Sequence, residues 1–191
     1  MSMPRTTNPL SALLAHNLWA TRLILERCRG LSDEQFRRVF PIGPGEHGGL
    51  CAILSHIIGA MRRWADRIGG RPVRPPIEPW RPGYQQRPPY TIDELLALLE
   101  DAQRDLTQVI EAVRSQGEAG LSRDVVLQFP APDPSGRTNV SFTAGACIAS
   151  VAVHGHYHRA QCVNILRQLG VPGVSDRLPS LDVVDWQEAE E

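Results

Sequence analysis

Between Arg71 and Pro89 the chain carries Pro72, Pro75, Pro76, Pro79, Pro82, Pro88 and Pro89. Proline has no amide hydrogen to donate, and its ring collides with the preceding helical turn, so no regular helix runs through this stretch. Helical periodicity is strong on both sides of it, so the segment must connect helices. A connection of this length is often a lid or an interface. It serves equally as a plain crossover between two helices that run the same way, and both readings stand at this level. Trp80 and Tyr84 are the side chains expected to pin it.

Four long helices are predicted around that connection. The first starts at Asn8-Pro9, a cap residue before a proline at the first helical position, and runs to Gly30. Leu10, Leu13, Leu14, Leu18, Leu25 and Cys28 keep its period. Residues 31 to 46 carry charges and then Pro41, Gly43, Pro44 and Gly45, which is loop chemistry. The second helix runs from about Gly48 to Ile68 and stops at Gly69-Gly70. Thr91-Ile92-Asp93-Glu94 is a capping box that opens the third, which reaches about Ser115. Val125, Leu127 and Phe129 alternate before a turn from Ala131 to Gly136, which predicts a short β-hairpin or an extended flap. The fourth helix spans Ala144 to Leu169, and a tail from Ser180 to Glu191, with Trp186, packs or frays. The pattern predicts an all-α fold, a four-helix bundle in a single domain over residues 1–191.

Composition narrows the function. With 191 residues the chain can bury one core. A net charge of −1 gives no reason to expect nucleic acid or an anionic membrane as partner. All 20 basic residues are arginine, which excludes a Schiff-base lysine. Cys28, Cys51, Cys147 and Cys162 form no Cys-x-x-Cys pair. Without a recognisable secretory signal they read as reduced thiols of a cytoplasmic protein. No apolar run reaches the roughly 18 residues that a membrane span needs.

The informative chemistry is His154-Gly155-His156-Tyr157-His158-Arg159-Ala160-Gln161, inside the fourth helix. His154 and His158 are four residues apart and project from one face, one turn above the other, while His156 points away. They continue a stripe of Val151, Cys162 or Gln161, Ile165 and Leu169, so they are expected to replace apolar residues on the core side. Imidazole is costly there unless something satisfies it. His56 lies between Ile53 and Ala60 on the second helix and also faces inward. Three such nitrogens suit one divalent cation and leave a coordination position for water, as in catalytic zinc sites. Nickel or iron would accept the same ligands. Each histidine alone fits a hydrogen-bonded core residue as well. Cys162, one turn past His158, is a further candidate sulfur ligand, and the paired Glu-x-x-His motifs of di-iron bundles are missing. Asn17 and Trp19, near the apolar side of the first helix, read as packing and a buried hydrogen bond.

These residues resemble a known family. The run from His154 to Gln161 is similar to the His-x-x-x-His-Arg-Gly-Gln signature of the DinB/YfiT-like superfamily of metalloenzymes. Asn17-Leu18-Trp19-Ala20 resembles its first-helix motif, Leu54-Ser55-His56-Ile57 its second-helix histidine motif, and Leu169-Gly170 its final helix ending. The resemblance covers nearly the whole chain. It implies an up-up-down-down four-helix bundle, a homodimer, and a divalent metal held by His56, His154 and His158. It also implies a low-molecular-weight thiol as cosubstrate (bacillithiol, mycothiol or glutathione in characterised relatives), with the metal, zinc or nickel foremost, activating the thiolate.

Two positions depart from that pattern. Ala160 stands where glycine is common, and Met61 where many relatives carry a glutamate. Arg159 and Gln161 follow the motif, with roles in substrate contact or in orienting and packing the helix both open, as they are for Asn17 and Trp19. No side chain is assigned as catalytic acid, base or nucleophile. The leading expectation is a thiol S-transferase acting on small electrophiles. A non-catalytic or stress-response dimeric bundle with a structural metal is the alternative from another class. A metal-assisted hydrolase is a third, which the missing glutamate makes less attractive.

Overall fold

Asn8 opens the first helix, α1 (Pro9–Cys28), its side chain accepting from the Ser11 amide at 3.1 Å with proline following at the first position. The computed structural model describes residues 8–42, 48–78, 80–81, 83–84, 89–128 and 134–174. Gly43 to Gly45, Pro79, Pro82, Pro88, Phe129, Ala131 to Asp133 and the tail with Trp186 lie outside the described residues.

After α1 comes a short helix, α2 (Asp33–Arg37), in the stretch read as loop. Ser32 and Gln35 form a reciprocal capping box there, and Phe36 is buried beneath it. The next helix, α3 (Leu50–Ile68), buries Leu50, Ile53, Leu54, Ile57, Ile58, Met61 and Ile68. It stops at Gly69, and Gly70 has a φ of 65°, the left-handed conformation that glycine adopts without steric penalty. The Thr91–Glu94 capping box starts α4 (Ile92–Arg114), as its spacing predicts.

A second short helix, α5 (Gly117–Ser122), precedes a two-stranded antiparallel hairpin. Its strands are β1 (Asp124–Gln128) and β2 (Asn139–Thr143), with Asp124 opposite Thr143 and Gln128 opposite Asn139. Thr143 then caps α6 (Ala144–Gln168), the long helix that carries the histidine pair. The expected four-helix bundle with a short hairpin before its last helix is therefore present. Among the described residues no helix is long and apolar enough to cross a membrane.

Contacts at the helix ends fix their directions. Arg29 at the end of α1 pairs with Asp93 at the start of α4 at 2.7 Å, and Arg114 at the end of α4 donates to Ser11 near the start of α1 at 2.7 Å. These two helices are antiparallel. Cys51 and Tyr90 meet at the starts of α3 and α4, and Gly69 lies against Val109 at their ends, so those two are parallel. Arg123 donates to the Ile68 carbonyl at 2.5 Å while its own carbonyl accepts from Ala144 at 2.8 Å. The start of α6 is thereby set at the end of α3, antiparallel to it. The order of directions is up, down, down, up, which differs from the up-up-down-down order implied by the resemblance. The other two long connections spend their length on local structure, α2 in one and α5 with the hairpin in the other, whereas the proline-rich segment returns along the bundle, so among consecutive long helices the pair it joins runs the same way.

That crossover is tied down along its length. Arg74 binds Asp66 of α3 through its amide at 3.0 Å and its Nε at 2.9 Å, and reaches Asp105 of α4 at 2.5 Å. Ile77 and Glu78 are buried against α3. The segment joins two parallel helices and also delivers Glu78 to the face where the histidines lie.

Candidate metal centre

His56 sits in the second turn of α3 and faces α6, from which His154 and His158 project one turn apart. The ring centroids of His56 lie 4.8 Å from those of both His154 and His158, which are themselves 4.4 Å apart. One ligating atom from each of the three falls within 4.8 Å of the others. The Nε2 atoms of His56 and His154 are 3.0 Å apart. Two nitrogens bound tetrahedrally to one zinc at its usual bond length stand about 3.3 Å apart, so this pair is already near the spacing that a shared cation imposes. His156 is exposed and takes no part in the cluster.

Two of the three rings have a hydrogen-bond partner on their outer nitrogen. His56 Nδ1 lies 3.1 Å from Glu78 Oε1, and a carboxylate can only accept, so the Nδ1 hydrogen donates and the Nε2 lone pair is left facing the triad. His158 Nδ1 lies 2.7 Å from Gln161 Oε1, one helical turn on, which holds its ring in the same sense. Burial, followed by the neighbouring His158 and His56 and by the charges of Arg63 and Arg81, lowers the His154 pKa to about 3. Burial also lowers that of His158, against the opposing effect of the hydrogen bond it donates to Gln161. The neutral imidazole is the form that binds a metal, and these surroundings favour it. The donor set of three uncharged nitrogens fits a divalent borderline cation such as zinc or nickel.

The cluster lies at the rim of the core. The most buried line of α6 is Ile148, Val151, Ala152, Gly155, Arg159, Cys162, Val163 and Leu166, and the histidine pair flanks it. The expectation that the pair replaces core residues is corrected by that rotation. Gly155, without a side chain, lets α1 approach closely and turns this face inward. The His56 side chain keeps 18% of its surface exposed. Trp80 of the crossover stands 6.3 Å from the His56 ring and Tyr157 stands 5.0 Å from the His158 ring, so aromatic surfaces border the cluster on two sides.

The other expected residues divide into two groups. Gln161 is bonded to His158, beside the centre. Arg159 and Asn17 are bonded to each other in the interior between α1 and α6. Trp19 stacks on His16 at 5.9 Å, also on α1. Met61 accepts from Asn17 Nδ2 at 3.6 Å. Cys162 is fully buried, which raises its pKa well above the ordinary value, and is not among the clustered ligands.

The carboxylate beside the triad is therefore Glu78, which no sequence motif marks. It is wholly buried and held by both terminal nitrogens of Arg63 at 2.7 Å, by Arg81 Nε at 3.0 Å and by the Ile77 amide at 3.2 Å. Burial alone would push its pKa up, but the hydrogen bonds from His56 and Arg63 and the charges of Arg63 and Arg81 outweigh this and hold it at about 2.

Comparison with known families adds one finding. The model of the DinB family matches residues 3–189, nearly the whole chain. A search of the curated proteins finds no match.

Proposed function

The chain belongs to the DinB family, and from that premise we propose that it is a divalent-metal-dependent enzyme that transfers a low-molecular-weight thiol to a small electrophile. The observation that carries the metal part is the convergence of His56, His154 and His158, within 4.8 Å of one another on two antiparallel helices. Three neutral ligands leave the charge of a divalent cation undiminished; when bound, it would supply Lewis acidity strong enough to deprotonate a thiol near neutral pH. The three histidines would hold the cation, and their partial exposure leaves one side for an incoming ligand. Trp80 and Tyr157 offer apolar surface beside that opening. A purely structural metal is normally enclosed by four protein ligands, and the described residues bring three. That argues for the catalytic reading over the structural one.

Elemental analysis of freshly purified protein, beside His56→Ala, His154→Ala and His158→Ala, tests the centre. About one zinc or nickel per chain is expected in the wild type and a loss in each variant. Absence of metal after reconstitution would reduce the histidines to a hydrogen-bonded cluster at the rim of the core. The metal-loaded protein should then accelerate conjugation of a haloaromatic or an epoxide with glutathione, bacillithiol or mycothiol. Bound metal with no acceleration by any of these thiols would favour the non-catalytic bundle.

A further inference from the structure

We propose that Glu78 is a positioning residue of this metal centre, reaching in from the proline-rich crossover to fix the tautomer and ring orientation of His56. The inference rests on the reading of the triad as a metal site. Its basis is geometric. Glu78 Oε1 takes the His56 Nδ1 hydrogen at 3.1 Å while also accepting from Arg63 Nη2 at 2.7 Å and Arg81 Nε at 3.0 Å. Its Oε2 accepts from Arg63 Nη1 at 2.7 Å and from the Ile77 amide at 3.2 Å. Five donors from α3 and the crossover leave the carboxylate no freedom to turn, so the imidazole bonded to it is held as well. Carboxylates placed behind metal-binding histidines raise ligand basicity and set which nitrogen faces the metal.

Gly59 shows how closely the carboxylate is fitted. A Cβ built there would lie 2.5 Å from Glu78 Oε2 and 2.9 Å from Arg63 Nη1. The end of a glutamate can usually move aside, but here two arginines pin it. Glycine in the middle of a helix is otherwise unfavourable, and this contact gives it a reason. Metal binding at the triad and docking of the crossover are thus linked, since the same carboxylate serves both.

The test uses the full chain, wild type beside Glu78→Gln and Gly59→Ala. Cobalt(II) and zinc affinities come from competition with a chromophoric chelator, and the cobalt visible spectrum reports ligand geometry. Both variants are expected to lose about 10–100-fold in affinity and to shift the cobalt bands. In metal-free wild type, long-range proton–nitrogen NMR should find His56 protonated at Nδ1, a readout that needs no variant to fold. Folded variants with unchanged affinity and spectrum, or a wild-type His56 protonated at Nε2, would overturn the positioning role and leave the metal site intact. Wild-type protein that takes up neither cation would overturn the metal reading, and this inference with it.

Discussion

At the scale of single residues, Arg159 is the largest fully buried side chain among the described residues. It is 1% exposed, and burial lowers its pKa to about 10, so it stays charged at neutral pH. A buried cation is costly unless hydrogen-bonded. Its Nη1 donates to the Asn17 side-chain oxygen, and to the Asn17 carbonyl and Thr21 Oγ1 at 3.4 Å each. Its Nε has no hydrogen-bond partner among the described residues. Asn17→Ala should therefore destabilise the fold by about 1.5–3 kcal/mol, the range for a lost hydrogen bond to a charged group. Gly155→Ala tests the same packing with the opposite intuition. In an open helix the change would stabilise by about 1 kcal/mol. Here the added Cβ would collide with the Asn17 amide oxygen and come 2.7 Å from Arg159 Nη1. Urea unfolding should show a loss for both variants, and a stabilised Gly155→Ala would refute the close fit. The sequence reading of Asn17 as a buried hydrogen-bonding residue agrees with this arrangement. The depth of Arg159 was not legible, because a charged residue counts against burial in any periodicity and Gly155 adds nothing to an apolar stripe.

At the scale of elements, the long helices were legible because their ends carry their own chemistry. Asn8-Pro9, Thr91 to Glu94 and Gly69-Gly70 satisfy or terminate helix ends locally, whatever the tertiary fold. The helix α2 had a comparable signal in its cap residue Ser32 and in Gln35, obscured by the glycines and prolines that follow it. Glu78 is different. Two of its partners, His56 and Arg63, lie on α3, His56 being 22 residues earlier, and a lone acid between prolines reads as solvated until the crossover is folded back. What holds the crossover can be tested away from the histidines. Arg74 joins it to Asp66 and Asp105, and Asp66 is buried, with Arg71 at 3.3 Å as its other ion pair. Arg74→Ala should destabilise by roughly 1–2 kcal/mol, less than a fully buried pair because the arginine is partly exposed. Limited proteolysis should cut faster between Arg71 and Pro89 while circular dichroism keeps its helical signal. A crossover as resistant as in the wild type would mean that Ile77 and Glu78 hold it unaided.

At the scale of the whole molecule, the bundle separates its own sulfur from its candidate metal. Cys28, Cys51, Cys147 and Cys162 are all buried. Burial pushes Cys28 up to about 12 and Cys162 well above its ordinary value, and it raises Cys51 and Cys147 as well. A thiol is nucleophilic as its thiolate, so none of these four is poised to react. The imidazoles, by contrast, lie at the rim with surface open beside them. Thiol chemistry at such a centre would have to use a thiol brought from outside, which is the arrangement the proposed transferase requires. The native protein should therefore react only slowly with a disulfide reagent such as Ellman's at pH 8, and release four equivalents once unfolded in guanidinium. Repeating the measurement after metal removal separates two causes of protection. If burial in the bundle is the cause, the thiols stay protected without metal as long as the fold persists. A cysteine that reacts at the rate of a free thiol in the folded protein would supply an internal nucleophile, and the case for an external thiol would fail.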